Sequence, residues 1–175
     1  MACYEYRTMY GCCNRNEKAS VHMIPYFSPV NLISKEDVIF LEQLCNSAEA
    51  DFKAYNTISG KKDGNLCWDL NLDYFNRFNY NSYTFFVHQE PFTKVVSHVD
   101  NPKWKRNTVL IIPLNWHENY APCVFEDGPV IEFRTPYLFN TQLPHYVNNN
   151  EYPRYNFQIC FDEPIEELAK CLINI

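Results

Sequence analysis

A chain of 175 residues, 46% hydrophobic and 17% aromatic, is long enough to bury one core, too short for two large lobes and too apolar to stay disordered. Lys and Arg number 15 against 21 Asp and Glu, and the resulting charge of -6 argues against the phosphate backbone of nucleic acid as a partner. The longest strongly apolar stretch, residues 109–114, falls far short of the roughly 20 residues that a membrane-spanning helix needs, and Pro113 interrupts it.

Taken in chain order, residues 1–33 show no clean periodicity and read as an N-terminal extension. Residues 21–27 form a candidate edge strand that Pro25 and Pro29 keep from longer pairing. The opening residues mix Glu5 and Arg7 with tyrosines and lack the apolar core of a secretory signal, so the expected location is cytoplasmic. The cysteines are scattered, with Cys12 next to Cys13 and no Cys-x-x-Cys pair, which favours reduced thiols over a disulfide framework or a zinc site.

Ser34 and Asp37 have the spacing of a capping box, and Val38, Leu41, Cys45, Ala48, Phe52 and Tyr55 follow at three- and four-residue intervals. This predicts one amphipathic helix over residues 34–56. Residues 59–65, with Gly60 and Gly64 around a lysine pair, read as a loop. Aromatic and β-branched residues then dominate, and strands are expected at 83–88, 94–98, 108–114, 123–126, 130–133, 137–140 and 155–161, separated by Asn, Pro and Asp-Gly turns. Short strands at this rhythm suggest a β-barrel or sandwich core over 66–162. Asp162 and Pro164 start a C-terminal helix over 163–175, with Ile165, Leu168, Ala169 and Leu172 on its apolar face. The whole chain, 1–175, is expected to be one domain.

The chemistry-bearing text begins at Ser97-His98-Val99-Asp100. On an extended chain His98 and Asp100 leave the same face and can reach one ion. Alone this pair is weak, since composition predicts roughly 0.2 such pairs by chance. A second histidine, His145, follows in Leu143-Pro144-His145, and Arg154 follows nine residues later. Two imidazoles and one carboxylate form a facial triad that holds Fe(II) with positions left open, and a guanidinium offers a planar fork to a carboxylate.

The order His-x-Asp, a distal His about fifty residues on, then an Arg roughly ten residues later resembles the iron(II)- and 2-oxoglutarate-dependent oxygenase family, over about residues 83–162. The run 106–115 also resembles that family's turn, Arg and apolar strand ending in Leu-Asn. The resemblance implies a mainly β fold, a double-stranded β-helix or jelly roll, with one N-terminal and one C-terminal helix packed on it. It implies His98, Asp100 and His145 on iron, Arg154 on the far carboxylate of 2-oxoglutarate, and O2 as oxidant in a coupled decarboxylation and hydroxylation. By likeness to the aspartyl/asparaginyl hydroxylase branch, Arg106 and Thr108 are expected to share one strand face and contact the co-substrate, although a solvated charge beside Lys103 and Lys105 is an equal reading of Arg106.

The Gly-Gly-Glu-Thr type motif of the prolyl hydroxylase branch is replaced by Tyr120-Ala121-Pro122-Cys123-Val124-Phe125. The substrate, a small molecule or a protein side chain, therefore stays open, as does the oligomeric state. The chain resembles compact oxygenases that include phage-borne ones, which admits a virus-encoded protein in a host cell. The alternatives are a non-catalytic jelly-roll binding or structural protein, a cupin-like metal protein independent of Arg154, and a nucleophilic cysteine enzyme. His22, His88 and His117 read as ordinary histidines, with His88 a candidate pocket residue. Glu126-Asp127-Gly128 reads as a turn, and Trp68, Trp104 and Trp116 as core or loop-edge aromatics.

Overall fold

A computed structural model of the protein describes residues 26–56, 62–78, 83–115, 117–148 and 151–172. In chain order the elements are β1 (Phe27–Pro29), α1 (Lys35–Cys45), β2 (Lys53–Asn56), β3 (Lys62–Asp69), β4 (Thr84–Gln89), β5 (Val95–His98), β6 (Thr108–Pro113), β7 (Cys123–Phe125), β8 (Val130–Ile131), β9 (Tyr137–Asn140), β10 (His145–Val147), β11 (Arg154–Phe161) and α2 (Ile165–Leu172). Short 3-10 turns lie at Asp73–Phe78 and Pro102–Trp104. Among the described residues the strands form two antiparallel sheets, a major one ordered β1-β9-β6-β11-β4-β3-β2 and a minor one ordered β5-β10-β7-β8.

Period-two alternation in the central strands builds two apolar layers. On β11, Phe157, Ile159 and Phe161 face Leu41 of α1 and Ile165 and Leu168 of α2, all buried. Between them Cys160 turns the other way, into a second cluster with Phe85, Val109, Ile111, Phe125 and Phe139 that lies between the sheets. A helix-period stripe meets a strand-period face on one side, and two strand faces meet on the other. The even-numbered positions of β11 thus point into the jelly-roll interior, where Arg154, Asn156 and Gln158 are all buried.

The first helix is shorter than its periodicity suggests. It ends at Cys45 because Asn46 turns its side-chain amide back onto the Glu42 carbonyl at 2.8 Å, and the Ser47 hydroxyl accepts from the Glu49 amide at 3.3 Å. These local bonds compete with helix propagation. Residues 53–56, expected to be helical, instead form β2 and pair with β3, Lys53 opposite Cys67. Phe52 leaves the helical stripe to pack edge-on against Trp68, His88 and Tyr155. The expected loop at 59–65 is corrected as well, since β3 opens at Lys62 and residues 57–61 lie outside the described ones.

The N-terminal extension supplies β1, which pairs with β9 at the sheet edge, Phe27 opposite Phe139 and Pro29 opposite Tyr137. The rest of the strand expected at 21–27 precedes the described residues, apart from Tyr26 and Phe27. β8 is cut to Val130–Ile131, because Phe133 and Arg134 already belong to a turn.

Candidate metal centre

β5 and β10 run antiparallel with His145 directly across from His98. Asp100 lies two residues beyond His98 and is fixed by its own amide, which donates to the Thr141 carbonyl at 3.0 Å. One potential ligand atom from each of His98, Asp100 and His145 lies within 4.8 Å of the others. The two imidazole centroids are 4.4 Å apart. Nδ1 of His98 sits 2.8 Å from the Val96 carbonyl, and Nδ1 of His145 sits 2.8 Å from the Leu143 carbonyl. A carbonyl only accepts, so each neutral ring carries its hydrogen on Nδ1 and keeps the Nε2 lone pair for the space between the three residues.

The electrostatics suit a cation. Burial pushes His145 down to about 4, which leaves it a neutral donor at physiological pH. His98 is raised above its ordinary 6.5 because its hydrogen bond to Asp100 outweighs its burial. Asp100 is buried, which alone would raise its carboxyl, yet the His98 hydrogen bond and the Arg106 charge hold it below its ordinary 3.8. Oδ1 of Asp100 is 3.5 Å from His98 Nε2, and Oδ2 is 3.3 Å from Arg106 Nη2. Two nitrogen donors and one ionised carboxylate make a donor set with a single negative charge, suited to a borderline divalent ion.

The three residues open onto a cavity of about 630 Å³ between the sheets. Phe85, Val109, Ile111, Phe139 and Val147 give it apolar walls, and β11 contributes Arg154, Asn156 and Gln158. Arg154 is only 4% exposed, and no carboxylate among the described residues pairs with it. Its Nη1 donates to the Ala121 carbonyl at 3.0 Å, its Nη2 donates to Gln89 Oε1, and its guanidinium lies 4.0 Å above the Phe133 ring. Burial lowers Arg154 to about 10, so the side chain remains cationic at neutral pH. Its Nε and the hydroxyl of nearby Tyr137 are shut off from solvent with no hydrogen-bond partner among the described residues. A buried cation and two unused donors are costly unless an anion completes them.

No protein-family model matches this chain, and no curated protein matches it by sequence. Solved structures do. A prolyl-4-hydroxylase from Pseudomonas putida superposes with a TM-score of 0.59 at 16% identity, over 79% of this chain and 92% of that one. A prolyl hydroxylase from Trichoplax adhaerens, solved in complex with a hypoxia-inducible-factor oxygen-degradation-domain peptide fragment, gives 0.58 at 16% identity, over 83% and 87%. An oxidoreductase of the 2OG-Fe(II) oxygenase family from Burkholderia pseudomallei gives 0.55 at 9% identity, over 78% and 84%. The fold is that of the 2-oxoglutarate oxygenases.

Within this oxygenase fold the other residues singled out in the sequence separate. Arg106 enters the cavity, where it reaches Asp100 and Gln158. Thr108 does not join it. Arg106 precedes β6, so the two residues share no strand face, and the Thr108 hydroxyl donates at 2.8 Å to the Glu163 carbonyl just ahead of α2. His88 points away from the cavity and stacks on Tyr155 at 4.3 Å, and His117 stacks on Tyr152 at 3.7 Å. Trp104 lines the cavity, whereas Trp68 stacks on Phe86. His22, Cys12, Cys13 and Trp116 lie outside the described residues.

Burial raises Cys45 to about 11 and Cys123 and Cys160 to about 12, which removes these thiols as nucleophiles. Sequence reading missed Gln89, Tyr137, Asn156 and Gln158. Counting in twos from Arg154 along its strand would have marked Asn156 and Gln158.

Proposed function

We propose that this protein is an iron(II)- and 2-oxoglutarate-dependent dioxygenase that hydroxylates a substrate, of which a protein side chain is the best-supported class. His98 Nε2, Asp100 Oδ1 and His145 Nε2 would hold the iron. Arg154 would take the far carboxylate of 2-oxoglutarate, with its Nε and the Tyr137 hydroxyl as further donors. The observation that carries the reading is this buried guanidinium, without a counterion among the described residues, in the same cavity as the triad. Bound iron and co-substrate would supply the oxidative decarboxylation and the C–H oxidation. The chain's own residues bind, orient and exclude water: the Val96 and Leu143 carbonyls fix the imidazole rings, Gln89 and Ala121 fix the guanidinium, and the apolar walls keep solvent from the reacting atoms. The protein side-chain preference draws on the Trichoplax neighbour, whose structure holds a peptide fragment.

Anaerobic titration with Fe(II) and then 2-oxoglutarate tests the reading. A weak visible charge-transfer band should develop, and His145→Ala should abolish it. Arg154→Ala should keep metal uptake and weaken 2-oxoglutarate binding on the order of 10- to 100-fold, as expected for lost charge-assisted hydrogen bonds. No band in the native chain would leave a jelly-roll binding protein. Unchanged 2-oxoglutarate affinity in Arg154→Ala would remove the co-substrate assignment.

A further inference from the structure

The two oxygens of Asp100 face different partners. Oδ1 lies toward His98 Nε2 at 3.5 Å, while Oδ2 lies 3.3 Å from Arg106 Nη2. Arg106 is itself held on two further sides. The same Nη2 donates to Gln158 Oε1 at 3.0 Å, and the guanidinium carbon stands 5.0 Å over the Phe85 ring. Gln158 is oriented in turn, because its Nε2 donates to Asn156 Oδ1 at 2.8 Å. Asn156 and Gln158 are buried and occupy the inward face of β11, a central strand hydrogen-bonded on both sides to β4 and β6. A rigid strand therefore backs a row of side chains that ends on one oxygen of a candidate metal ligand.

The arrangement matters because a carboxylate with both oxygens available can chelate one ion and occupy two coordination positions. Two histidines and a one-oxygen carboxylate leave room for a chelating co-substrate and one more ligand, whereas a chelating carboxylate removes that last position. Building on the iron reading above, we infer that Arg106, braced by Gln158 and Asn156, is a positioning residue that occupies Oδ2 of Asp100 and so restricts this ligand to one-oxygen coordination.

The test uses Mn(II) as the probe ion on the whole 175-residue chain, with the number of exchangeable waters on the bound ion read by oxygen-17 relaxation. Arg106→Met keeps the stem and removes the donor. It is expected to bind Mn(II) with equal or a few-fold higher affinity, since a neighbouring positive charge is gone, and to show one fewer water than the native chain. Arg106→Lys, which restores a donor and a charge, should recover the native count. Gln158→Leu leaves the guanidinium in place but unbraced, and should give a mixture of the two counts; it stands in if Arg106→Met does not fold. General structural damage would instead weaken Mn(II) binding and add waters. A native-like count in Arg106→Met, or a single native count in Gln158→Leu where Arg106→Met does not fold, overturns the brace and leaves the iron reading standing. A native chain that takes up no Mn(II) sinks the iron reading, and the brace falls with it.

Discussion

If His98 is a metal ligand, a proton and a divalent cation would compete for the same lone pair on its ring. In the metal-free protein the imidazole is raised above 6.5, chiefly by its hydrogen bond to Asp100, so it holds a proton more tightly than a free histidine does. His145, pushed down to about 4 by burial, carries none at neutral pH. The sign follows directly. Below the His98 titration a metal must expel one proton, and apparent affinity should rise by about one log unit per pH unit; above it the dependence should flatten. Mn(II) titrations from about pH 6 to about pH 8.5, a span that brackets ordinary imidazole titration, should show this bend. An affinity flat across the range would contradict the use of His98 as a ligand. The triad was legible in the sequence because the His-x-Asp spacing survives in any extended segment and a later histidine can reach it from a neighbouring strand. The pairing of Arg106 with Asp100 was not, since it depends on a turn that brings residue 106 back beside residue 100.

At the scale of elements, α1 is anchored through its first turn. The Asp37 carboxylate accepts from the Ser34 amide at 2.8 Å while the Ser34 hydroxyl accepts from the Asp37 amide at 3.1 Å, which closes the capping box. The same carboxylate accepts from the Tyr74 hydroxyl at 2.6 Å and from Arg77 at 2.8 Å, tying the helix to the 3-10 turn beside it. Asp37→Ala should cost about 2–3 kcal/mol, from the cap and the buried hydrogen bonds together, and lower Tm by roughly 5–10 °C. Arg77→Met should cost under about 1 kcal/mol, because Arg77 is substantially exposed.

Burial alone would raise the Asp37 carboxyl, but its donors Tyr74, Ser34 and Arg77 hold it below its ordinary 3.8. Its contribution is thus complete above the unfolded-state value and fades as pH falls through the folded one. Denaturant melts of the native chain and Asp37→Ala should differ by a constant amount near neutrality and converge below about pH 4. A gap that persisted in acid would mean that the carboxylate charge is not what holds the turn. The cap was readable from Ser34 and Asp37, and β4, β6, β9 and β11 from their runs of aromatic and branched residues. β3 was not, because Lys62, Asp63, Gly64 and Asn65 carry loop chemistry and become a strand through pairing with other strands, Lys62 opposite Asn56 of β2 and Asn65 opposite Gln89 of β4. The end of α1 was hidden by Phe52 and Tyr55, which continue a helical spacing across a turn that Asn46 and Ser47 impose.

Across the whole molecule the two sheets are unequal. β4, β6 and β11 have six, six and eight residues and share a continuous ladder, whereas β5, β10, β7 and β8 have four, three, three and two. The β5–β10 register also shifts between the His145 and Val147 pairs. All three candidate ligands belong to this weaker layer or the turn leaving it, while Arg154 and the polar row behind Asp100 belong to the stronger one. Short ladders open locally at low free-energy cost, so without metal the amides of β5 and β10 should exchange with solvent well before those of β4, β6 and β11. An ion bridging His98, Asp100 and His145 can bind only the closed arrangement. At a free concentration about 100 times its Kd, it stabilises that arrangement by about 2.7 kcal/mol, which corresponds to roughly 100-fold slower opening-limited exchange. Hydrogen exchange with and without Mn(II) should therefore show protection gained first at the amides of residues 95–100 and 145–147. The Asp100 amide, which donates across to Thr141, is the most direct reporter. If those amides are already as protected as β11 before metal is added, or do not respond to it, the ion does not join the strands through these three side chains.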